Sequence, residues 1–389
     1  MISSELRKSK SRLEQGAADA GLVRLYGETA LDFQRQRYLN LLGRAEQLLG
    51  DRPPVLASAP GRTELGGNHT DHNNGRVLAS AVDLDCIGFG VPADYQRITI
   101  YSDGHPEPIR VELNSLTPQQ EEEGTPQALI RGVAAARAEQ NRKLGGFSAV
   151  VHSTCKPGTG LSSSAAFSVL IGGIFAALFD QDPVNPIQLA RDGRFAENHF
   201  FGKPCGLMDQ LSSALGQTLG IDFAVPENPQ ITHIESDFKR FGYQLLIIDT
   251  GGSHSSLTPE YAAVTAEIGR AVRLLGAEKA RGITIEAVLK QIHEIRRQAG
   301  DRALLRLLHF IAEDQRAAEQ TAALQRGDWA RFLRLVKSSG NSSCRFLQNC
   351  SSAATTEDQG LLLAMALTEQ LFPKAFCRVH GGGFAGTVQ

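Results

Sequence analysis

With 389 residues the chain is too long for one small core, and its length predicts two domains. Forty Lys and Arg against 42 Asp and Glu leave a net charge of −2 with no long basic run, which argues against nucleic acid as a partner. No stretch of about 20 uninterrupted apolar residues occurs, and the polar start Met1-Ile-Ser-Ser-Glu-Leu-Arg-Lys lacks a signal-peptide core, so a soluble, cytoplasmic protein without a membrane partner is expected.

Residues 1–50 carry Leu22, Leu25, Tyr26, Tyr38, Leu41, Leu42, Ala45 and Leu48 at helical spacings, and Pro53-Pro54 stops the pattern. A short strand, Val55–Ser58, leads into a loop over 59–75 that crowds Arg62, Glu64, Asn68, His69, Asp71 and His72 among four glycines. A turn needs Gly, Asn or Asp for positive φ, but it does not need Arg62, His69 and Asp71 together. Such side chains suit a polyol, because an aspartate accepts from adjacent hydroxyls while a histidine donates or accepts beside it. A metal held by His69, Asp71 and His72 is the alternative, although that spacing matches no named zinc motif. Strands follow at about 77–82, 86–91, 97–101 and 109–113, then a solvated turn at 119–124 and a helix over about 126–140.

Next, a strand over Phe147–Thr154 runs into Lys156-Pro157-Gly158-Thr159-Gly160-Leu161-Ser162-Ser163-Ser164-Ala165-Ala166, and an apolar helix follows from Phe167 to Phe179. A glycine-rich turn opening a helix aims unpaired backbone N–H groups outward at the positive end of the helix dipole, which makes an anion cradle. The plainer reading is a serine-capped connection, but a cap uses one hydroxyl and three serines stand in a row. The loop is neither a Walker A nor a dinucleotide fingerprint, and no protein-kinase motif set is present.

Helical character returns over Ile187–Phe201, breaks at Gly202-Lys-Pro-Cys-Gly206, and resumes as Leu207–Leu215. Glu197 and Asp209 flank this break. Asp209 sits in Cys205-Gly-Leu-Met-Asp-Gln-Leu211, an apolar setting where an acid is costly unless paired or used, and it could face Arg62. Pro226, Asn228 and Pro229 suggest a boundary nearby, dividing the chain into 1–225 and 226–389. A strand at 243–249 and helices at about 259–275, 284–298, 301–325, 328–338 and 357–371 fill the second part. The chain ends on His380-Gly-Gly-Gly-Phe-Ala-Gly386 entering an apparent strand. The six cysteines are scattered without a C-x-x-C pair and read as reduced thiols. The mixture of strands and helices, without a repeat, is α+β.

Four segments in this order resemble signatures of the GHMP small-molecule kinases, and of the galactokinase family within them. They are Gly61–Gly75, Pro157–Ala166, the run from Glu197 through Gly202-Lys-Pro-Cys-Gly-Leu-Met-Asp209-Gln210, and Gly381–Gly386; weaker likeness lies in His254–Tyr261. The resemblance implies a two-domain α+β architecture, with a ribosomal-protein-S5-like N-terminal domain, a ferredoxin-like C-terminal domain and the active site between them. It implies transfer of the γ-phosphate of ATP to the anomeric 1-hydroxyl of galactose, with Mg²⁺, by a monomer whose partners are ATP and a small sugar. Carried over by position, Asp209 is general base or electrostatic anchor, and Arg62 holds it ionised and neutralises the transferring phosphoryl. Glu197 and Ser164 bind Mg²⁺. Gly158, Thr159, Gly160, Leu161, Ser162, Ser163, Ser164 and Ala165 cradle the phosphates, and Asn68, His69, Asp71, Gly206 and Tyr261 hold the sugar.

The sequence departs from the family pattern at three loop positions. Asn68 stands where an acid usually meets the sugar 6-hydroxyl, Glu64 where Asn is common, and His72 where Tyr is. A neutral amide tolerates a 6-carboxylate that Glu would repel, so galacturonate, or a sugar lacking that hydroxyl such as arabinose, is the runner-up. A non-catalytic sugar or nucleotide sensor is a second alternative, set against the intact set Arg62, Ser164, Glu197 and Asp209. Family members run further than Gln389, which implies a truncated sequence or an unpartnered edge strand.

Overall fold

The computed structural model describes residues 5–49, 54–251, 257–352 and 357–389. The predicted stop at Pro53 and the stretch 254–256 of the weak likeness lie outside them. Two compact units form: Met1–Gly61, Val82–Lys156 and Ser162–Leu215 make one, and Arg62–Ala81, Pro157–Leu161 and Gly216–Gln389 make the other.

The first unit begins with three helices, α1 (Glu5–Glu14), α2 (Asp19–Tyr26) and α3 (Leu31–Leu48), where one longer helical run was expected. Gly16 and Gly27, both at positive φ, break the run. The strands are β1 (Val55–Gly66), β2 (Arg76–Pro92), β3 (Arg97–Ser102), β4 (Ile109–Glu112) and β5 (Phe147–Ser153); the helices α4 (Pro126–Glu139), α5 (Ser163–Phe179), α6 (Pro186–Ala196) and α7 (Met208–Leu215) complete it. The latter half of β2 pairs antiparallel with β5, Cys86 opposite Ser153 through Pro92 opposite Phe147, and β5 runs parallel to β3. Alternation along β5 divides the core. Phe147, Ala149 and Val151 meet Ile130 and Val133 of α4 and Leu170, Ile174 and Phe175 of α5, whereas Val150 joins Tyr38, Leu41 and Leu42 of α3 on the opposite face. α5 is apolar almost all round because it is buried on most sides, and this fixes the position of its N-terminus.

In the second unit the start of β2 pairs antiparallel with β6 (Thr218–Asp222), which pairs with β7 (Gln230–Ile234). β8 (Ile248–Asp249), α8 (Thr258–Leu274), α9 (Ile285–Lys290), α10 (Ile292–Ala299), α11 (Asp301–Gln325), α12 (Trp329–Ser342), α13 (Gly360–Leu371) and β9 (Thr387–Val388) follow. α11 and α12 lay Ala323, Leu324, Phe332 and Val336 on Leu65, Leu78 and Ile234. On its other side α11 packs Leu304, Leu307 and Phe310 with Val264, Ile268, Val288 and Ile295.

Further expected elements differ: β1 runs on to Gly66, so Arg62 and Glu64 lie on a strand rather than in a loop over 59–75, and the strands over 77–82 and 86–91 are one, β2. The strand over 243–249 shrinks to Ile248–Asp249, because among the described residues Thr387–Val388 pairs with those two positions alone and an unpaired extended segment is not a strand. The helix over 284–298 is two helices that meet at Gln291 (φ −118°, ψ 14°), outside helical geometry. Among the described residues no helix is long and apolar enough to cross a membrane.

Candidate functional site

In the first unit the chemistry gathers at the start of α5. Ser162 occupies the N-cap position with left-handed backbone (φ 58°), yet its hydroxyl does not cap the helix. It donates instead to Asp209 Oδ2 at 2.5 Å, so the serine-capped connection is not what forms and the leading amides of Ser163, Ser164 and Ala165 have no cap from it. Asp209 is half-buried in the first turn of α7. A hydroxyl donated at that distance to a carboxylate fixes the acid's orientation.

Glu197 starts a π-helical turn, Glu197–Phe201, that Gly202 ends at φ 78°. Its side chain is fully buried and paired with Lys203, whose Nζ lies 3.2 Å from Oε2, and among the described residues no other donor meets either carboxylate oxygen. The carboxylate in turn raises the ammonium of Lys203 above its ordinary value. Lys203 neutralises this buried acid, and the lack of any other donor on its oxygens among the described residues leaves the carboxylate chemically suited to a divalent cation. Gly206 lies in the loop before α7, whose position Asn198 fixes by accepting from Cys205 N at 2.7 Å. Nothing in the sequence pointed to Asn198.

In the second unit Arg62 Nη1 donates to Gly160 O at 2.5 Å and Arg62 N to Leu161 O at 3.0 Å, which joins the end of β1 to the glycine-rich loop. Gly160 requires glycine: at φ 72°, a Cβ would lie 2.8 Å from Thr387 Oγ1 and 2.9 Å from His380 Nδ1. His380 spans from Thr63 Oγ1 (3.1 Å) to Thr387 Oγ1 (3.0 Å), and Thr387 donates on to Thr159 O at 3.3 Å.

The loop after β1 turns at Gly67 and closes through Thr70 Oγ1, 2.8 Å from Gly67 O. Asn68 is fully buried. Its Nδ2 donates to Glu64 Oε1 (2.9 Å) and Gly381 O (2.7 Å), while its Oδ1 accepts from Ser343 Oγ (3.2 Å) and Asn349 Nδ2 (2.9 Å). All four bonding positions of the amide are thereby taken. His69, at φ 57°, puts Nε2 2.9 Å from Gly382 O and stacks its ring on Tyr261 at 6.5 Å between centroids. Tyr261 Oη donates to Gly383 O at 2.9 Å. Three of the expected sugar-holding residues, Asn68, His69 and Tyr261, thus converge with the terminal glycine loop. Asp71 lies 3.3 Å from His72 Nε2. Among the described residues no group of three or more His, Cys, Asp or Glu is placed to hold a metal, the trio His69, Asp71 and His72 included.

The galactokinase galactose-binding signature matches residues 46–92, and the GHMP kinase N-terminal domain matches residues 128–217. Human galactokinase is 32% identical over 345 residues, covering 87% of this chain and 83% of its own. The chain belongs to the galactokinase family. A crystal structure of Lactococcus lactis galactokinase with galactose superposes with a TM-score of 0.77 at 20% identity, covering 89% of this chain and 87% of that one. The mevalonate kinase of Methanococcus jannaschii gives 0.57 at 16% identity, covering 86% and 89%. This is the GHMP kinase fold, as the four ordered motifs implied, and galactokinase-family members are ATP-dependent sugar kinases.

Burial and the neighbouring His72 ring push His69 down to about 3, and burial also lowers His309. A native imidazole kept neutral contributes stability that is fully present above the unfolded-state value of about 6.5 and is lost as pH falls below it. The thermal midpoint is therefore expected to fall between about pH 6.5 and pH 4, and the fall to be shallower in His309→Gln, as scanning calorimetry across that range would read.

Proposed function

We propose that this chain transfers the γ-phosphoryl group of ATP to the 1-hydroxyl of galactose, giving galactose 1-phosphate and ADP. The observation that carries the reading is the Ser162–Asp209 hydrogen bond at the head of α5, which sets a carboxylate beside a helix start suited to phosphate in a galactokinase-family chain. Asp209 accepts the proton of the sugar hydroxyl as its oxygen bonds to the γ-phosphorus and the bond to the β-phosphate oxygen breaks.

Gly158, Thr159, Gly160 and Leu161, with Ser162, Ser163, Ser164 and Ala165, offer backbone and hydroxyl donors to the phosphates, and Arg62 supplies positive charge to the transferring group. His69, Asp71, Gly206 and Tyr261 hold the sugar; Asn68 enters through its place in the loop, since its amide is committed to the protein. Mg²⁺, held by Glu197 and Ser164, neutralises phosphate charge when bound. The same reading has the protein act as a cytoplasmic monomer, with the sugar and phosphate loops in 1–225 and the supporting helices in 226–389.

Coupled ADP release with ATP and galactose is the direct test, and an absence of galactose-dependent turnover would remove the assignment. Glu197→Gln is expected to raise the Mg²⁺ concentration for half-maximal activity by about tenfold or more and, because it also removes the charge 3.2 Å from Lys203 Nζ, to lower the thermal midpoint, which calorimetry of the same variant reads.

A further inference from the structure

One helix holds the loop that carries His69 and Asp71 at both ends. Glu313, fully buried on α11, accepts from Gly67 N at 3.1 Å and from Asn68 N at 3.4 Å through Oε1, and Ser339 Oγ donates to the same oxygen at 2.6 Å. Arg316 pairs with the other carboxylate oxygen. One turn earlier on α11, His309 Nε2 lies 3.0 Å from Asn68 O. A carbonyl only accepts, so Nε2 carries the proton and Nδ1 accepts from Ser342 Oγ at 2.8 Å. The N–H and C=O of residue 68 are therefore both gripped by side chains four apart on one helix face.

The far end of the loop meets the next residue of α11. Asp314 accepts from Arg76 N (2.7 Å), Arg76 Nη1 (2.8 Å) and Arg281 Nη1 (2.9 Å), and Arg281 also reaches Asn74 O at 3.3 Å. Between these two anchors sits His69 with φ 57°. A non-glycine residue persists in left-handed backbone only where its surroundings over-determine it, and such residues gather at ligand clamps. Here Glu313 and His309 hold the preceding peptide groups, while Gly382 O meets the His69 ring itself.

We propose that Glu313 and Asp314, adjacent on α11, are positioning residues for the sugar, fixing the two ends of the 67–76 loop so that His69 and Asp71 meet the sugar hydroxyls in one geometry. The proposal rests on the galactokinase reading above. It separates the two substrates, because the grip is on the sugar loop and not on the glycine-rich phosphate loop.

The test uses the full chain with Glu313→Gln and Asp314→Asn, reading galactose KM, ATP KM and kcat, together with hydrogen exchange at the Gly67, Asn68 and His69 amides. Loss of a charged acceptor is expected to raise galactose KM about tenfold and speed Asn68 exchange by about as much, with ATP KM held within about twofold. Should Glu313→Gln fail to fold, Ser339→Ala, which removes only the hydroxyl bonded to Glu313, and Asp314→Asn carry the same readouts. Unchanged galactose KM in the folded variants, or an equal rise in both KM values, overturns the proposal. An unaltered chain that releases no ADP with any sugar removes the galactokinase reading instead; amide exchange then decides the clamp alone, faster at Asn68 in its support and unchanged against it.

Discussion

Asp209→Ala is expected to lower kcat with galactose by about 10³-fold, within the range for loss of a general base, while the far-ultraviolet circular dichroism and thermal midpoint stay close to those of the unaltered chain. The fold should tolerate the change because Asp209 is half-buried at a helix start, where the Ser162 hydroxyl donates to it at 2.5 Å. Steady-state ADP release separates two accounts of the acid. If Asp209 takes the proton, Asp209→Asn falls nearly as far as alanine, since an amide of the same shape has no basicity to offer. If it serves chiefly as an orienting acceptor, asparagine retains much of the rate. Ser162→Ala is the companion measurement: it deletes one hydrogen bond to a charged group, and a loss of roughly 10–100-fold in kcat is expected, with ATP KM less affected. An Asp209→Ala variant that turns galactose over at the normal rate would remove the proposed mechanism altogether.

What could be read from the sequence was local. The run Gly158–Ser164 is contiguous, so its strand, turn and helix follow from composition, and β5 and α5 form where the apolar periods place them. Relations across the chain could not be read in the same way. Ser162 resembled a phosphate ligand, and its bond to an acid 47 residues on depends on how α5 and α7 pack. Glu313 and His309 belong to no motif. They did leave a trace, because Arg306, His309, Glu313 and Gln320 occupy the buried stripe of an amphipathic helix where apolar residues are the rule. A polar residue on that stripe must find a partner, and here two of the partners are the backbone of a loop some 240 residues earlier. The strand over 243–249 is shorter than its apolar run suggests for a related reason: such a run says that a segment can be extended, whereas pairing depends on which neighbour reaches it.

The same long-range logic sets the largest expected stability effect. Arg378, fully buried, donates from Nη2 to Glu64 Oε1 at 2.5 Å, and that oxygen also accepts from Asn68. Burial pushes Glu64 up from the ordinary carboxylate range, with Arg378 and then Arg62 opposing it. Arg378→Met removes the principal opposing charge and leaves an acid in the interior, which costs about 3–5 kcal/mol. The deficit should grow as pH rises, because a carboxyl whose native value is raised stabilises only while protonated and loses that contribution as it ionises. Adding Glu64→Gln removes the unpaired charge yet keeps an oxygen for Asn68 Nδ2, so the double variant should regain most of the loss. Denaturant midpoints for the two single variants and the double close the cycle. A coupling near zero would mean that the pair is screened by more of its surroundings than Asn68 and Arg62. A large one would mean that Glu64 is held in the interior by an arginine more than 300 residues away, and that the form of the sugar loop depends on the chain's C-terminal segment.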